Sequence, residues 1–208
     1  MHTEILPLFP LKLVVFPNEK VNMHIFEERY KQLVNECMDE NKTFGIPAFL
    51  NNKVAPYGTE VRVVAIAKRY DDGKMDVRVR GERTFVLEDF WQQEEHKLYP
   101  AGKVRFAELI EDSDKRLEHL IADKLLALYE VLGVKRPVKD VHSFKIGHYL
   151  GMSQKQELKL LALHRESERQ ALILQHLTTM LPIITEVENM KKKIKLNGHF
   201  KYFDKLNF

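Results

Sequence analysis

The feature that most constrains the fold is a proline-punctuated apolar stretch at the start of the chain. Residues 5–18 are dominated by Leu, Val, Ile and Phe and contain Pro7, Pro10 and Pro17. Proline donates no N–H to a sheet and breaks the interior of a helix. The stretch therefore predicts short strand segments separated by bends, which are typical of a small barrel or folded sheet. We expect six of its apolar side chains, and of those that follow, in the core: Leu6, Leu8, Val14, Phe16, Ile25 and Phe26.

The spacing of apolar residues predicts a β-rich first half. A helix is predicted over residues 27–41, where apolar side chains recur every three or four positions. The Asp72-Gly73 pair predicts a tight hairpin, because glycine accepts the positive φ that such turns need. A bend is expected at residues 81–83. Strands are predicted over five segments: residues 43–50, 59–70, 75–80, 84–91 and 98–109.

The second half is predicted to be helical, because the apolar period changes from two to about 3.6 at Glu111. Gly133 is expected to cap the first long helix. A second helix is predicted between Pro137 and Leu150. Residues 153–156 and 167–170 both have capping-box form, a Ser followed three residues later by Gln, and each is expected to begin a helix.

A long C-terminal helix, or two abutting helices, is predicted over residues 171–195, with a kink near Pro182 and a stop at Asn197-Gly198. Its second half carries an apolar stripe at 4-3-4 spacing, which suits packing against one partner helix. That partner is the protein's own barrel, another protein or a second copy of the chain. The stripe consists of Ile183, Val187, Met190 and Ile194.

These patterns predict an α+β protein of 208 residues in three parts. Residues 1–110 form a barrel with one helix, residues 111–196 form a helical subdomain packed on it, and residues 197–208 form a basic and aromatic tail. The net charge of +3 is unevenly placed, since residues 190–208 carry +5 and residues 1–110 carry −1. The positive net charge of the chain therefore comes from its C-terminal residues and not from the barrel, and nucleic acid is not the expected partner.

The chain has the composition of an ordinary soluble globular protein, and its cysteine content fits a cytosolic one. Its one cysteine, Cys37, allows no intrachain disulfide. The N-terminus lacks the basic and apolar regions of a signal peptide, and the longest uncharged run, residues 171–185, is too short and too polar to span a bilayer. We expect a cytoplasmic location and no membrane partner.

No motif of catalysis or cofactor binding occurs in the sequence. None of the nine glycines has the spacing of a phosphate-binding loop, and the nine histidines include no His-Glu-x-x-His pattern. Three of the four serines, at positions 113, 143, 153 and 167, are placed where helix capping explains them. Cys37 lies on the apolar stripe of its helix. We therefore expect no catalytic residue, no metal and no cofactor.

The opening stretch resembles the N-terminal substrate-binding domain of Lon proteases. The resemblance is carried by residues 6–11 (LPLFPL), 15–17 (VFP) and 23–30 (MHIFEERY), and by residues 79–85, which are similar to that family's VRGxxRF pattern. It extends over roughly residues 4–185. Asn18 departs from the pattern, because the family often has glycine there; asparagine is the next-best residue for a positive φ.

The resemblance implies a small PUA-like β-barrel followed by a helical subdomain. It also implies a non-enzymatic module that binds unfolded or tagged polypeptides. In full-length Lon proteases an ATPase motor and a peptidase follow this module, and neither is present in the 27 residues after Leu181. The expectation is a stand-alone adaptor or chaperone-like protein that works with a protease or a chaperone.

Two candidate surfaces follow from these expectations. Polypeptide binding needs exposed apolar grooves or strand edges, and the aromatic and apolar residues beside predicted loops are the candidates: Phe49, Leu50, Tyr57, Phe90 and Trp91. For any one of these residues, a place in the core is the more common role. The alternative is RNA binding by a PUA-like barrel, through Arg78, Arg80 and Arg83. Acidic neighbours at Asp76 and Glu82 favour a solvated strand face instead.

Overall fold

A computed structural model describes the backbone of residues 3–203 and the side chains of residues 3–195. The protein is α+β, and its strands form one antiparallel sheet. The strands are β1 Thr3–Pro7, β2 Lys20–Ile25, β3 Phe44–Leu50, β4 Lys53–Arg69, β5 Met75–Trp91 and β6 Ala101–Phe106. The helices are α1 Glu28–Asp39, α2 Lys115–Leu132, α3 Ser143–Ile146, α4 Gln154–Ala162 and α5 Glu166–Phe203, with a 3₁₀ turn at Gly147–Tyr149.

The sheet has the strand order β1-β6-β5-β4-β3, and β2 pairs with β5 beside this path. The chain just after β1 closes the sheet, because Leu8 and Leu11 form parallel bridges to Gly45 and Ala48 of β3. The Leu11 carbonyl accepts the Phe49 N–H at 2.7 Å. The proline-rich stretch therefore supplies one short strand and then the residues that close the barrel.

The β4–β5 hairpin is confirmed, and the bend predicted at residues 81–83 is wrong. Gly73 has φ 78° in the turn, while β5 runs unbroken for 17 residues through Gly81. That glycine is needed for close approach of the backbone, since a Cβ there would lie 2.2 Å from the Phe16 carbonyl oxygen. Its N–H donates to the Glu19 carbonyl at 2.9 Å. Glycine in a strand interior commonly marks such an approach.

The core of the barrel is built from the inward faces of the strands and the apolar face of α1. Five of the six side chains expected in the core are buried: Leu6, Leu8, Val14, Phe16 and Ile25. The sixth prediction is wrong, because Phe26 is 58% exposed. It lies between the end of β2 and the start of α1, where its ring lies beside that of His24, with the ring centroids 6.2 Å apart.

The chain divides into two compact units. One runs to Ile110 and includes Gly147–His164; the other contains Glu111–Ile146 and the chain from Arg165 onward. The sequence-based division differs, because it assigned residues 147–164 to the helical part. Local geometry explains the difference: a Cβ on Gly147 would lie 2.8 Å from the Phe16 ring. The helix expected from Pro137 to Leu150 is correspondingly reduced to α3 and the 3₁₀ turn.

His148 holds the returning segment in the first unit. Its ring stacks on that of Phe16 with centroids 4.4 Å apart. Its Nδ1 lies 2.8 Å from Oε1 of Glu157, and its Nε2 lies 3.1 Å from Oε2 of Glu19. Burial alone would lower the pKa of His148, but its hydrogen bonds to the two carboxylates outweigh burial and raise that pKa to about 9. The imidazolium is therefore the form that the fold favours.

The predicted helix caps are present where all of their hydrogen bonds are made between neighbouring residues. Gly133 ends α2 in the left-handed region with φ 67°, as predicted, and within the first unit Ser153 forms the predicted capping box of α4. The capping box predicted at Ser167 is wrong, because α5 begins at Glu166. The N–H and hydroxyl of Ser167 instead donate to Asp112, at 3.1 and 3.0 Å. These bonds lower the pKa of Asp112 to about 2.

The long C-terminal helix is confirmed as one continuous element, α5, with Pro182 inside it. The predicted stop at Asn197-Gly198 is wrong, since α5 continues to Phe203. Residues 204–208 of the predicted tail, and all of its side chains, lie outside the described residues. Among the described helices, none is both long and apolar enough to cross a membrane.

Candidate polypeptide-binding surfaces

Two of the predicted polypeptide-binding residues lie on the β3–β4 hairpin. Phe49 pairs with Val54, and Leu50 pairs with Lys53. The intervening turn is Asn51-Asn52, and both asparagines have positive φ, 50° and 59°. Phe49 and Leu50 are partly exposed, so this hairpin presents apolar area to solvent while its two strands stay paired in the sheet.

The other three predicted residues lie at the same end of the sheet by strand register. Tyr57 of β4 pairs with Val86 of β5. Phe90 and Trp91 end β5 and pair with Gly102 and Ala101 of β6. Trp91 is 37% exposed, while Phe90 packs partly on the core. The name "sheet-end residues" is used below for Phe49, Leu50, Tyr57, Phe90 and Trp91.

The three arginines considered for RNA binding differ in the kind of side chain to which they donate hydrogen bonds. Arg83 donates to Glu60 at 2.6 and 3.0 Å and lies 3.5 Å above the Phe106 ring. The hydrogen bonds to Glu60 raise the pKa of Arg83, so this charge is already committed within the protein. Arg78 and Arg80 project from β5 and donate to two side-chain amides, those of Asn22 and Asn18.

A cleft that the sequence did not indicate lies along β1 and encloses about 370 Å³. One wall is β1 itself, and the opposite wall is the C-terminal turn of α1 with the loop that follows it. We call it the β1 cleft. Its lining residues are far apart in sequence: Glu4–Pro7, Glu36, Cys37, Glu40–Thr43, Arg62, Glu94, Lys97 and Tyr99. No local motif marks such a set.

Most charges lining the β1 cleft are paired. Glu36 accepts from Lys97 at 2.8 Å and from the Tyr99 hydroxyl at 2.5 Å. Burial would raise the pKa of Glu36, but these hydrogen bonds outweigh it and lower that pKa. Burial, followed by the Glu36 hydrogen bond, raises the pKa of Tyr99. Burial also raises the pKa of Cys37 to about 12, so this thiol is not activated as a nucleophile.

A buried ion-pair network forms in the second unit around Arg169. Its Nε donates to Glu166 at 2.9 Å and to the Ser143 hydroxyl at 3.0 Å, and both charged side chains are fully buried. Glu111, His142 and Glu166 offer ligand atoms within 4.8 Å of one another. Both carboxylates also bond Arg169, whose cation fills the role that a metal would have. The cluster is therefore a structural ion-pair network.

The C-terminal part of α5 exposes the apolar stripe predicted for it. Ile183, Val187, Met190 and Ile194 are 51%, 39%, 49% and 70% exposed. The same seam begins earlier in the helix, where Ile173 and His176 are buried. The stripe is therefore the uncovered continuation of a seam that is covered further back.

A closed antiparallel sheet with one helix on its core, joined to a helical unit that ends in a long helix, defines the class of fold. A family model described as the ATP-dependent protease La (LON) substrate-binding domain matches residues 5–186. The chain belongs to this family, as the N-terminal motifs indicated.

Two solved structures are similar to this chain over most of its length. The crystal structure of a Lon N-terminal domain protein from Xanthomonas campestris is 30% identical, with a TM-score of 0.66, and the match covers 83% of this chain and 98% of that one. The N-terminal domain of Lon protease from the Mycobacterium avium complex is 16% identical, with a TM-score of 0.63 over 84% of this chain and 98% of that one; it shows the fold. No curated protein matches.

Proposed function

We propose that this protein is a non-catalytic polypeptide-binding module that holds unfolded or tagged segments of other proteins. The observation that supports this most strongly is the match to a substrate-binding domain family over residues 5–186. The sheet-end residues are the proposed contact surface, with Trp91 as its anchor, because aromatic side chains with exposed area contribute most to such interfaces.

The proposed role is that of an adaptor or chaperone-like protein of the cytoplasm. It would present bound polypeptide to a protease or chaperone. A reducing compartment fits the single cysteine, Cys37, which is a buried free thiol.

The test uses a second protein that reduction and alkylation keep unfolded and that carries a fluorescent label. Its binding to this chain is measured by fluorescence anisotropy. Trp91→Ser removes the proposed anchor, and we expect the dissociation constant to rise about tenfold, which corresponds to about 1.4 kcal/mol of binding free energy. Val64→Ser is the matched control, because Val64 is an exposed apolar residue of β4 outside the sheet end. Equal affinity of wild type and Trp91→Ser would contradict this surface.

RNA binding remains the second candidate, and Arg78 and Arg80 are what favour it. Each donates to a neutral amide in the bonds described above, which leaves a positively charged strip beside Lys20 of β2. Phosphate binding would weaken steeply with salt. An affinity for single-stranded RNA that decreases between 50 and 200 mM salt, together with no binding of unfolded protein, would favour this function over the first.

Self-association through the stripe of α5 is the third part of the proposal. An antiparallel pair of helices would place Val187 opposite Met190 and Ile183 opposite Ile194 of the second copy. Glu186 would then face Lys193 of the second copy, and the lysines at 191–195 would lie at opposite ends. A parallel pair would bring these lysines together, so charge favours the antiparallel arrangement.

The measurement for self-association is sedimentation equilibrium. We expect Met190→Glu to shift the protein towards monomer, since it places a charge in the seam. Asn189→Glu makes the same charge change beside the stripe and is expected to leave the association unchanged. A wild-type protein that is monomeric at the highest soluble concentration would contradict the proposal.

A further inference from the structure

We infer that the β1 cleft binds an extended polypeptide segment carrying a basic side chain, by adding that segment as a strand to β1. The inference rests on the polypeptide binding proposed above and assigns it a second, more specific site.

The free edge of β1 provides the backbone groups. β1 is the terminal strand of the sheet path and pairs with β6 from Thr3 to Pro7. Among the described residues, its other edge meets no strand until Leu8 bridges Gly45. An edge of five residues is about 17 Å long at the usual rise of a strand. Because Leu8 donates its N–H to Pro100 of the chain before β6, the alternation of the ladder turns Ile5 and Pro7 towards the free edge. Ile5 offers an N–H and a C=O there and Pro7 a C=O alone, and an extended peptide can bond to these groups.

The cleft beside this edge exists because β3 begins too late to cover it. After α1 the chain turns through Asn41, which has φ 52°, and enters β3 only at Phe44. The gap between β1 and this turn has a volume of about 370 Å³. That volume is within the usual range for ligand sites and leaves room for side chains of an added strand.

Charge selects the kind of segment. Lys97 is bonded to Glu36, Lys42 to Glu40 and Arg62 to Glu82, so these three cations are already committed. Glu94 differs, because its Oε2 atom is buried and has no hydrogen-bond partner among the described residues.

A buried carboxylate oxygen without a donor is costly, and a donor from outside would relieve that cost. The C-terminal end of α1, which lines the same cleft, adds partial negative charge. A lysine or arginine side chain would donate a charge-assisted hydrogen bond to Glu94 and place a positive charge beside the negative end of α1.

The experiment uses the full chain and four labelled peptides of seven residues with one apolar, strand-forming sequence. The first has a central Lys and the second has Gln in its place. The third and fourth keep the Lys and carry N-methyl groups on alternate backbone nitrogens, one peptide for each of the two possible registers. We expect the Lys peptide to bind about tenfold more tightly than the Gln peptide. At least one of the two methylated peptides should lose binding, because it cannot complete the strand ladder.

Glu94→Gln keeps the shape of the side chain and removes its charge, so it should abolish the preference for Lys. Glu95→Gln is the matched control, since Glu95 is adjacent and 89% exposed. Thermal unfolding of both variants verifies that they are folded. An unchanged preference in Glu94→Gln, or full binding by both methylated peptides, would overturn the inference.

The outcomes also separate this inference from the proposed function. If the unfolded protein binds but the Lys preference is absent or survives Glu94→Gln, the β1 cleft is not the basic-segment site and polypeptide binding stands. If neither the unfolded protein nor any peptide binds, both the proposed function and the inference are refuted.

Discussion

Replacing Arg169 by methionine should be among the most destabilising single changes in the second unit. The substitution keeps an unbranched side chain of similar length but leaves the side chain of Glu166 buried, without the cation 2.9 Å away. It also removes the donor to Ser143 and the guanidinium that lies 4.4 Å above the Phe144 ring. Breaking a buried pair from one side costs about 3–5 kcal/mol. We expect a loss of that size.

The assay is urea unfolding followed by far-UV circular dichroism, with the free energy of unfolding extrapolated to water. The control is Arg165→Met, four residues earlier and just before α5, because Arg165 is exposed and its pair with Asp112 should contribute less than about 1 kcal/mol. The double variant Glu166→Leu/Arg169→Met removes both charges and should be more stable than Arg169→Met alone. A loss below about 1 kcal/mol for Arg169→Met would refute the reasoning.

Three further predictions concern the first unit. The folded protein raises the pKa of His148 to about 9, so the stabilising contribution of His148 is complete below about pH 6.5 and is lost as pH rises through 9. The midpoint of urea unfolding should decrease over this range, and His148→Gln should reduce this dependence on pH. Phe16→Ala should cost about 3–5 kcal/mol, whereas Phe26→Ala, at an exposed ring, should cost less than about 1 kcal/mol in the same denaturation. Cys37, buried and with its thiol pKa raised to about 12, should react with an aromatic disulfide reagent only after denaturant is added; rapid reaction in native buffer would contradict its burial.

The sequence predicted the features that depend on neighbouring residues. The Asp72-Gly73 hairpin, the Gly133 cap and the Ser153 capping box are local, and each is present. Ser167 had the same local form but bonds Asp112 instead, 55 residues away in the chain. Gly81 reads as a turn in sequence and proves to be a point of close approach to the Phe16 backbone. Tertiary contacts override local chemistry in both cases.

The candidate sites were predictable to a smaller extent. Proximity to predicted loops selected the five candidate residues, and strand register places them at one end of the sheet. Their role in polypeptide binding stays a prediction. The arginines could not be ranked from sequence, because only the fold shows that Glu60 holds Arg83. The β1 cleft had no sequence signal, since its walls come from segments as distant as Glu4 and Tyr99. Phe26 was misjudged because an apolar run does not reveal where a strand ends.

The pairing of β1 with β6 has a consequence for how the protein is made. Thr3 lies opposite Arg105, so β1 finds its partner only after about 100 further residues have been synthesised. At about 5–20 residues per second this delay lasts about 5–20 seconds. Contacts so distant in sequence also slow folding. Throughout this interval β1 lacks its β6 partner, while the residues just after it can already bridge β3, and a nascent-chain chaperone has time to bind β1 before the barrel closes.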